Sequence, residues 1–203
     1  MRNRIVIVFI LVVVVVAGFM PGLGFSAIEK VLMVIPNNNF RDEEFDVTYK
    51  TLIREGYNVT VVSTMLNTAI GMLGMKVDPD VLLAAVKSKD YDAIVFIGGT
   101  GTQDLWNDLN AQQLAKDMNR DGKLVAAISI APVILAKAGV LKGKKATVSQ
   151  PVSHILDFDG ANYTCKSVEV DKNIITADGP SSAQEFADAI VTKLNEDTTY
   201  GTK

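Results

Sequence analysis

Ser129 stands where an apolar run of strand character, Leu124-Val125-Ala126-Ala127-Ile128, gives way to Ala131-Pro132-Val133-Ile134-Leu135-Ala136-Lys137-Ala138, which reads as a helix. A small hydroxyl residue at a strand-to-helix elbow points into the cleft outside the carboxyl end of a sheet, where open α/β folds bind ligands and place nucleophiles. The alternative is a small residue that merely fits a tight turn, the commoner case for an isolated serine. A second candidate is Gly98-Gly99-Thr100-Gly101-Thr102, directly after the apolar strand run ending at Ile97. A glycine-rich turn at a strand end exposes backbone N–H groups that bind anions. It is neither a dinucleotide nor a P-loop fingerprint, because G-x-G-x-x-G and a G-K-[ST] ending are both missing. His154 is the sole histidine and Cys165 the sole cysteine, so no histidine–cysteine metal cluster arises and no intramolecular disulfide forms. Strand alternation around Tyr163-Thr164-Cys165-Lys166-Ser167-Val168 places Cys165 on a sheet face rather than at a reactive site.

The elements that must position these residues follow from periodicity. Lys30 to Ile35 reads as a buried parallel strand closed by Pro36 and three asparagines. Asp42 to Glu55 reads as a helix, with Phe45, Tyr49, Leu52 and Ile53 as its apolar stripe, three acids in its first turn and Gly56 at its end. Tyr57 to Ser63 is a strand, Gly71 to Val77 a glycine-punctuated small hairpin or excursion, and Asp78-Pro79-Asp80 the start of a helix through Val86. Tyr91 to Ile97 is a strand, Ala111 to Asn119 a helix, and Lys145 to Val148 a short strand. Val168–Val170 and Ile174–Ala177 pair as a hairpin. Ser182-Ala183-Gln184-Glu185 is a capping box opening a helix with Phe186, Ile190 and Leu194 on one stripe. Strands alternating with helices predict an α/β fold: a mainly parallel sheet with helices on both faces, in one domain over residues 28–196.

Residues 1–27 stand apart. Arg2 and Arg4 precede an apolar run from Ile5 to Met20, and the small-residue stretch 21–27 follows. This reads as an export signal cut after Ser26 or Ala27; the other reading is an uncleaved anchor, since residues 5–25 just reach the roughly 20 needed to cross a bilayer. The protein is thus expected outside the cytoplasm. The chain of 203 residues carries a net charge of −3, and losing Arg2 and Arg4 makes the body more acidic still, which argues against a nucleic-acid partner. The sequons Asn58-Val59-Thr60 and Asn162-Tyr163-Thr164 lie in predicted strands and are read as chance matches. A polar tail, 197–203, is expected to fray.

Several segments in order resemble the ThiJ/PfpI family of the class I glutamine-amidotransferase-like superfamily. They are Phe40-Arg41-Asp42-Glu43-Glu44, Val77-Asp78-Pro79-Asp80, Tyr91-Asp92-Ala93-Ile94, Gly98-Gly99, the Ala127-to-Pro132 elbow, Val170-Asp171-Lys172-Asn173-Ile174-Ile175-Thr176-Ala177 and Gly179-Pro180. The resemblance implies a flavodoxin-like three-layer sandwich and a homodimer; no cofactor or metal is expected. It also implies an active-site place for an elbow cysteine held by a carboxylic acid, in proteins that include proteases, glyoxalases and deglycases. By that resemblance Ser129 takes the cysteine's place, Glu44 the acid's, and Gly99 with the N–H of Ile130 the oxyanion site. Ile130 and Gln150 fall where histidines often stand, and His154, four residues on, would have to fold back to replace them. A thiol is readily drawn to thiolate, whereas a serine needs a base within hydrogen-bond reach. Three functions follow: a pocket that binds a small molecule or partner without the family's cysteine chemistry, a hydrolase or lyase using Ser129 with Glu44, or a purely structural or oligomeric role.

Overall fold

The computed structural model describes residues 29–200, with side chains through residue 196. The expected export or anchor segment, 1–27, lies outside the described residues. The strands are β1 (Lys30–Val34), β2 (Asn38–Phe40), β3 (Asn58–Ser63), β4 (Ala69–Gly71), β5 (Lys76–Val77), β6 (Val81–Leu82), β7 (Ala93–Phe96), β8 (Leu124–Ile128), β9 (Lys145–Ala146), β10 (Asn162–Tyr163), β11 (Val168–Asp171) and β12 (Ile174–Ala177). The helices are α1 (Asp42–Arg54), α2 (Leu109–Arg120), α3 (Pro132–Lys137), α4 (Ser153–Phe158) and α5 (Ala183–Tyr200). Seven strands form one sheet in the order β11-β12-β8-β7-β1-β3-β6, parallel throughout except for β11, which pairs antiparallel with β12.

Alternation along each central strand divides the core in two. Leu32, Val34, Ile94, Phe96, Val125 and Ala127 face one way, against α2, α3 and Leu156 of α4. Val31, Met33, Val95, Ala126, Ile128 and Ile175 face the other, against Phe45 and Leu52 of α1 and Phe186, Ile190 and Leu194 of α5. A parallel sheet covered on both faces needs apolar residues at every position, which is why these strands read as continuous runs. β1 is followed by β3 on one side and later by β7 on the other, so the strand order reverses beside β1. Crevices at such reversals, outside the carboxyl ends of the strands, are the binding places of open α/β sheets.

Four local expectations are corrected. The helix expected from Asp78 does not form. Asp80 N–H donates to Val61 O, and the Asp80 carboxylate accepts from Val61 N–H at 2.8 Å, so Val81–Leu82 joins the sheet edge and a 3-10 turn over Leu83–Ala85 follows. The capping box at 182–185 is replaced by other partners: the Ser182 hydroxyl donates to Asp178, and Glu185 accepts from Ser167. Cys165 lies not on a sheet face but exposed in the loop between β10 and β11, at φ 55°. The buried face of α1 is rotated from the apolar stripe: Ile53 is 46 % exposed, while Glu44, Thr48 and Thr51 are buried. An apolar stripe omits polar side chains that turn inward, as Glu44, Thr48 and Thr51 do. The hairpins β4–β5 and β11–β12 form as expected, and α5 continues to Tyr200.

Candidate functional site

Three loops at the carboxyl edge of the sheet meet at the strand-order reversal. The segment after β1 leads through β2 into α1 and carries Glu44 in its first turn; the turn after β7 supplies Gly98 and Gly99; the elbow after β8 supplies Ser129. They are locked by backbone bonds: Arg41 N–H donates to Gly98 O at 2.9 Å, Ser129 N–H to Ala177 O at 2.9 Å, and Ser149 N–H to Ser129 O at 2.9 Å. Ser129 is held at φ 63°, in the left-handed region, which costs a non-glycine residue about 1 kcal/mol or more and survives only where its surroundings impose it. This is the elbow geometry that lifts a side chain off the strand end into the crevice.

Gly98 explains how close the parts come. A side chain there would begin 2.5 Å from Ser129 Cβ, 2.6 Å from Glu44 Oε2 and 2.8 Å from Ile128 O, so only glycine lets the elbow and the helix converge. Its N–H donates to Glu44 Oε2 at 3.0 Å. The glycine-rich turn was expected to offer free amides to a ligand, yet its first amide is spent on the protein's own carboxyl. Gly101 is needed for a different reason: a side chain there would run into the carbonyl of Asn38. The N–H groups of Gly99 and Ile130 have no acceptor among the described residues.

Glu44 is fully buried, and burial pushes its pKa from 4.5 up to about 7, against the lowering influence of the Gly98 N–H, the Ser129 hydroxyl and the Arg41 charge. Its Oε1 completes no hydrogen bond within the described structure. A buried carboxyl with one oxygen unpartnered is costly when charged, and near neutrality it is divided between the acid and the carboxylate. The Arg41 guanidinium is taken up by Glu43, with Nε at 2.9 Å from Oε2 and Nη2 donating to Oε1 at 3.0 Å. Asp42, also buried, points the other way. Its carboxylate accepts from Leu73 N–H and Met75 N–H, both at 2.8 Å, and packs against Gly71, pinning the β4–β5 hairpin over the site.

A cavity of about 210 Å³ opens over these groups, lined by Arg41, Glu44, Met72, Gly99, Thr100, Ser129, Ile130 and Pro180. The structure thus brings together Ser129, Glu44, Gly99 and Ile130 of the expected site. Gln150 is exposed and does not line the cavity, and His154 lies exposed on α4, lining a different cleft with Trp106. Arg41 and Pro180 belong to the Phe40-to-Glu44 and Gly179-Pro180 motifs, so their recruitment was open to inference. Met72 left no such signal, because long-range bonds bring its hairpin over the elbow: the β2–β4 pairing, Met72 N–H to Phe40 O, and the bonds to Asp42. No group of three metal-ligating side chains occurs among the described residues.

The model of the DJ-1/PfpI family matches residues 29–193. The chain belongs to the DJ-1/PfpI family. An uncharacterised protein of Methanocaldococcus jannaschii is 42% identical over 160 residues, 77% of this chain and 78% of its own. Among solved structures, a ThiJ/PfpI domain protein from Brachyspira murdochii superposes with TM-score 0.80 at 37% identity, covering 82% of this chain and 96% of that one. DJ-1beta of Drosophila melanogaster does so at TM-score 0.76 and 30% identity, covering 84% and 94%. The flavodoxin-like fold expected from the sequence is that of these DJ-1/PfpI relatives.

Proposed function

We propose that this DJ-1/PfpI-family protein binds a small oxygen-bearing molecule on Glu44 and the Gly99 and Ile130 amides, in the pocket lined by Ser129 but without need of its hydroxyl, and does not carry out the thiol chemistry of cysteine-bearing relatives. The observation that carries this reading is a cavity of about 210 Å³ with a serine at the elbow and no imidazole or thiol in its lining. Serine needs a strong neighbouring base to attack a carbonyl, and it has no oxidation ladder with which to sense peroxide. A protonated Glu44 is a hydrogen-bond donor, and the two free amides are donors as well, so the pocket suits acceptor oxygens. The test is binding of glyoxylate and acetate followed through the Gly99 and Ile130 amide resonances. Ser129→Ala should leave affinity within about twofold, whereas a loss of tenfold or more overturns the reading.

One observation favours a second reading, hydrolysis or lyase chemistry with Ser129 as nucleophile. Glu44, ionising near 7, is tuned where a general base works best, and the Gly99 and Ile130 amides would face an oxyanion. A serine-directed fluorophosphonate decides between the two: covalent labelling that Ser129→Ala abolishes supports the enzyme, and absence of labelling supports the binder. We also propose export, supported by the basic and apolar pattern of residues 1–27; a mature N-terminus at Ala27 or Ile28 would establish cleavage.

A further inference from the structure

On the same side of the sheet as α2 and α3, a separate cleft of about 390 Å³ lies between the loop before α2, the end of α3 and α4. Its walls are Trp106 and Asn107, Lys137, and His154, Ile155 and Phe158. Phe158 is 90 % exposed, an unusual cost for a phenyl ring on a helix whose Leu156 is wholly buried. Phe158 lies four residues after His154 and three after Ile155, so α4 turns one side to the cleft. Trp106 is held opposite them: its indole Nε1–H donates to Ile130 O at 3.1 Å, and its carbonyl accepts from Gln112 Nε2 at 2.8 Å. A pre-set indole, a bare phenyl and an isoleucine form a slot for a planar apolar group. The volume falls within the roughly 300–1,000 Å³ usual for small-ligand sites, which the Ser129 cavity does not reach. The charged and titratable groups at its rim are Lys137 and His154. Asp157 and Asp159, on or just beyond the same helix, do not line it, and no carboxylate does among the described residues.

We infer that this cleft binds an aromatic carboxylate, with its ring between Trp106 and Phe158 and its carboxylate on the Lys137 ammonium and the His154 and Asn107 donors. Rings of this kind stack on aromatic side chains, and a carboxylate satisfies a cationic rim that a neutral molecule leaves unpaired. The site is distinct from the Ser129 cavity but touches it through one bond, because the carbonyl that fixes the indole belongs to the residue after Ser129.

Trp106 is the only tryptophan, so the ligand would sit on the chain's own fluorophore. The probe is 3-phenylpropionate, titrated into the full chain with tryptophan emission and the line width of the probe's ring protons as two readouts. We expect a saturable change in both, with 3-phenylpropanol bound at least about fivefold more weakly. Lys137→Met should weaken the acid about fivefold and bring acid and alcohol together, and Phe158→Ser should weaken both about tenfold with an unchanged melting temperature. The inference is overturned by no saturable response in either readout up to about 10 mM, or by equal binding of acid and alcohol to the unmodified chain. It is equally overturned if Phe158→Ser changes only the sedimentation mass, which would assign the cleft to a second copy of this chain.

Discussion

Gly98 decides whether the acid and the hydroxyl of the site meet, since any side chain there would begin inside both of them. What their meeting does depends on Glu44. Its pKa is raised from 4.5 to about 7, chiefly by burial, so the folded state holds the proton more tightly than the unfolded chain. The linked stability is therefore fully present below pH 4.5 and is lost as pH rises through 7, amounting to about 3 kcal/mol once the carboxyl is ionised in both states. Glu44→Gln keeps the shape and the acceptor for the Gly98 N–H while removing the titration. Urea denaturation of the two proteins at pH 5 and pH 8 should show the unmodified chain losing stability across that interval relative to the variant. Parallel curves would mean that Glu44 ionises near its ordinary value.

At the scale of elements, the first turn of α1 sends neighbouring carboxylates in two directions. Glu44 goes to the turn after β7, and Asp42 goes to the hairpin of β4 and β5. The second contact helps set how closed the cavity is, because Leu73 and Met75 donate to Asp42 just beyond Met72, whose own N–H donates to Phe40 O at 2.9 Å. Asp42→Ala leaves two amides without their acceptor at a partly buried place, a cost of about 2 kcal/mol that falls on the hairpin more than on the sheet. Amide exchange of Leu73 and Met75 is expected to accelerate at least tenfold while that of Val95 and Ala126 follows only the global change. Equal acceleration everywhere would show that the hairpin is not a separate unit.

Across the whole molecule, one sheet carries two cores that share no side chains. Ile94 points into the core under α2 and α3, and Ile190 of α5 points into the other. Truncating each by one methyl should cost about 0.5–1.5 kcal/mol, and the double variant Ile94→Val with Ile190→Val should cost the sum to within about 0.5 kcal/mol. Guanidinium unfolding of the four proteins measures this directly. The unfolding should remain a single transition, since both cores are faces of the same strands; two separable transitions would show the layers to be independent.

Burial of a parallel sheet on both faces is written into composition, which is why the runs around Met33, Val95 and Ala126 were legible as strands and the fold class with them. The elbow at Ser129 was legible for the same reason, because a strand that ends in one small residue before a proline-led helix has few other geometries. Spacing within α1 could not reveal that Glu44, Thr48 and Thr51 turn inward while Ile53 faces out, since the helix chooses its buried face by what α5 and the β7 turn present to it. Nor could it show that Asp80 would bind Val61 and make an edge strand of the following residues instead of a helix. The sequence alone determined the central strands of the sheet and that a hydroxyl stands where they open. Tertiary contact decided the rest: Gly98 lets a carboxyl with a pKa near 7 reach that hydroxyl, and His154 is carried by α4 to a different cleft. Such long-range approaches cost no local sequence signal, so only the packed molecule displays them.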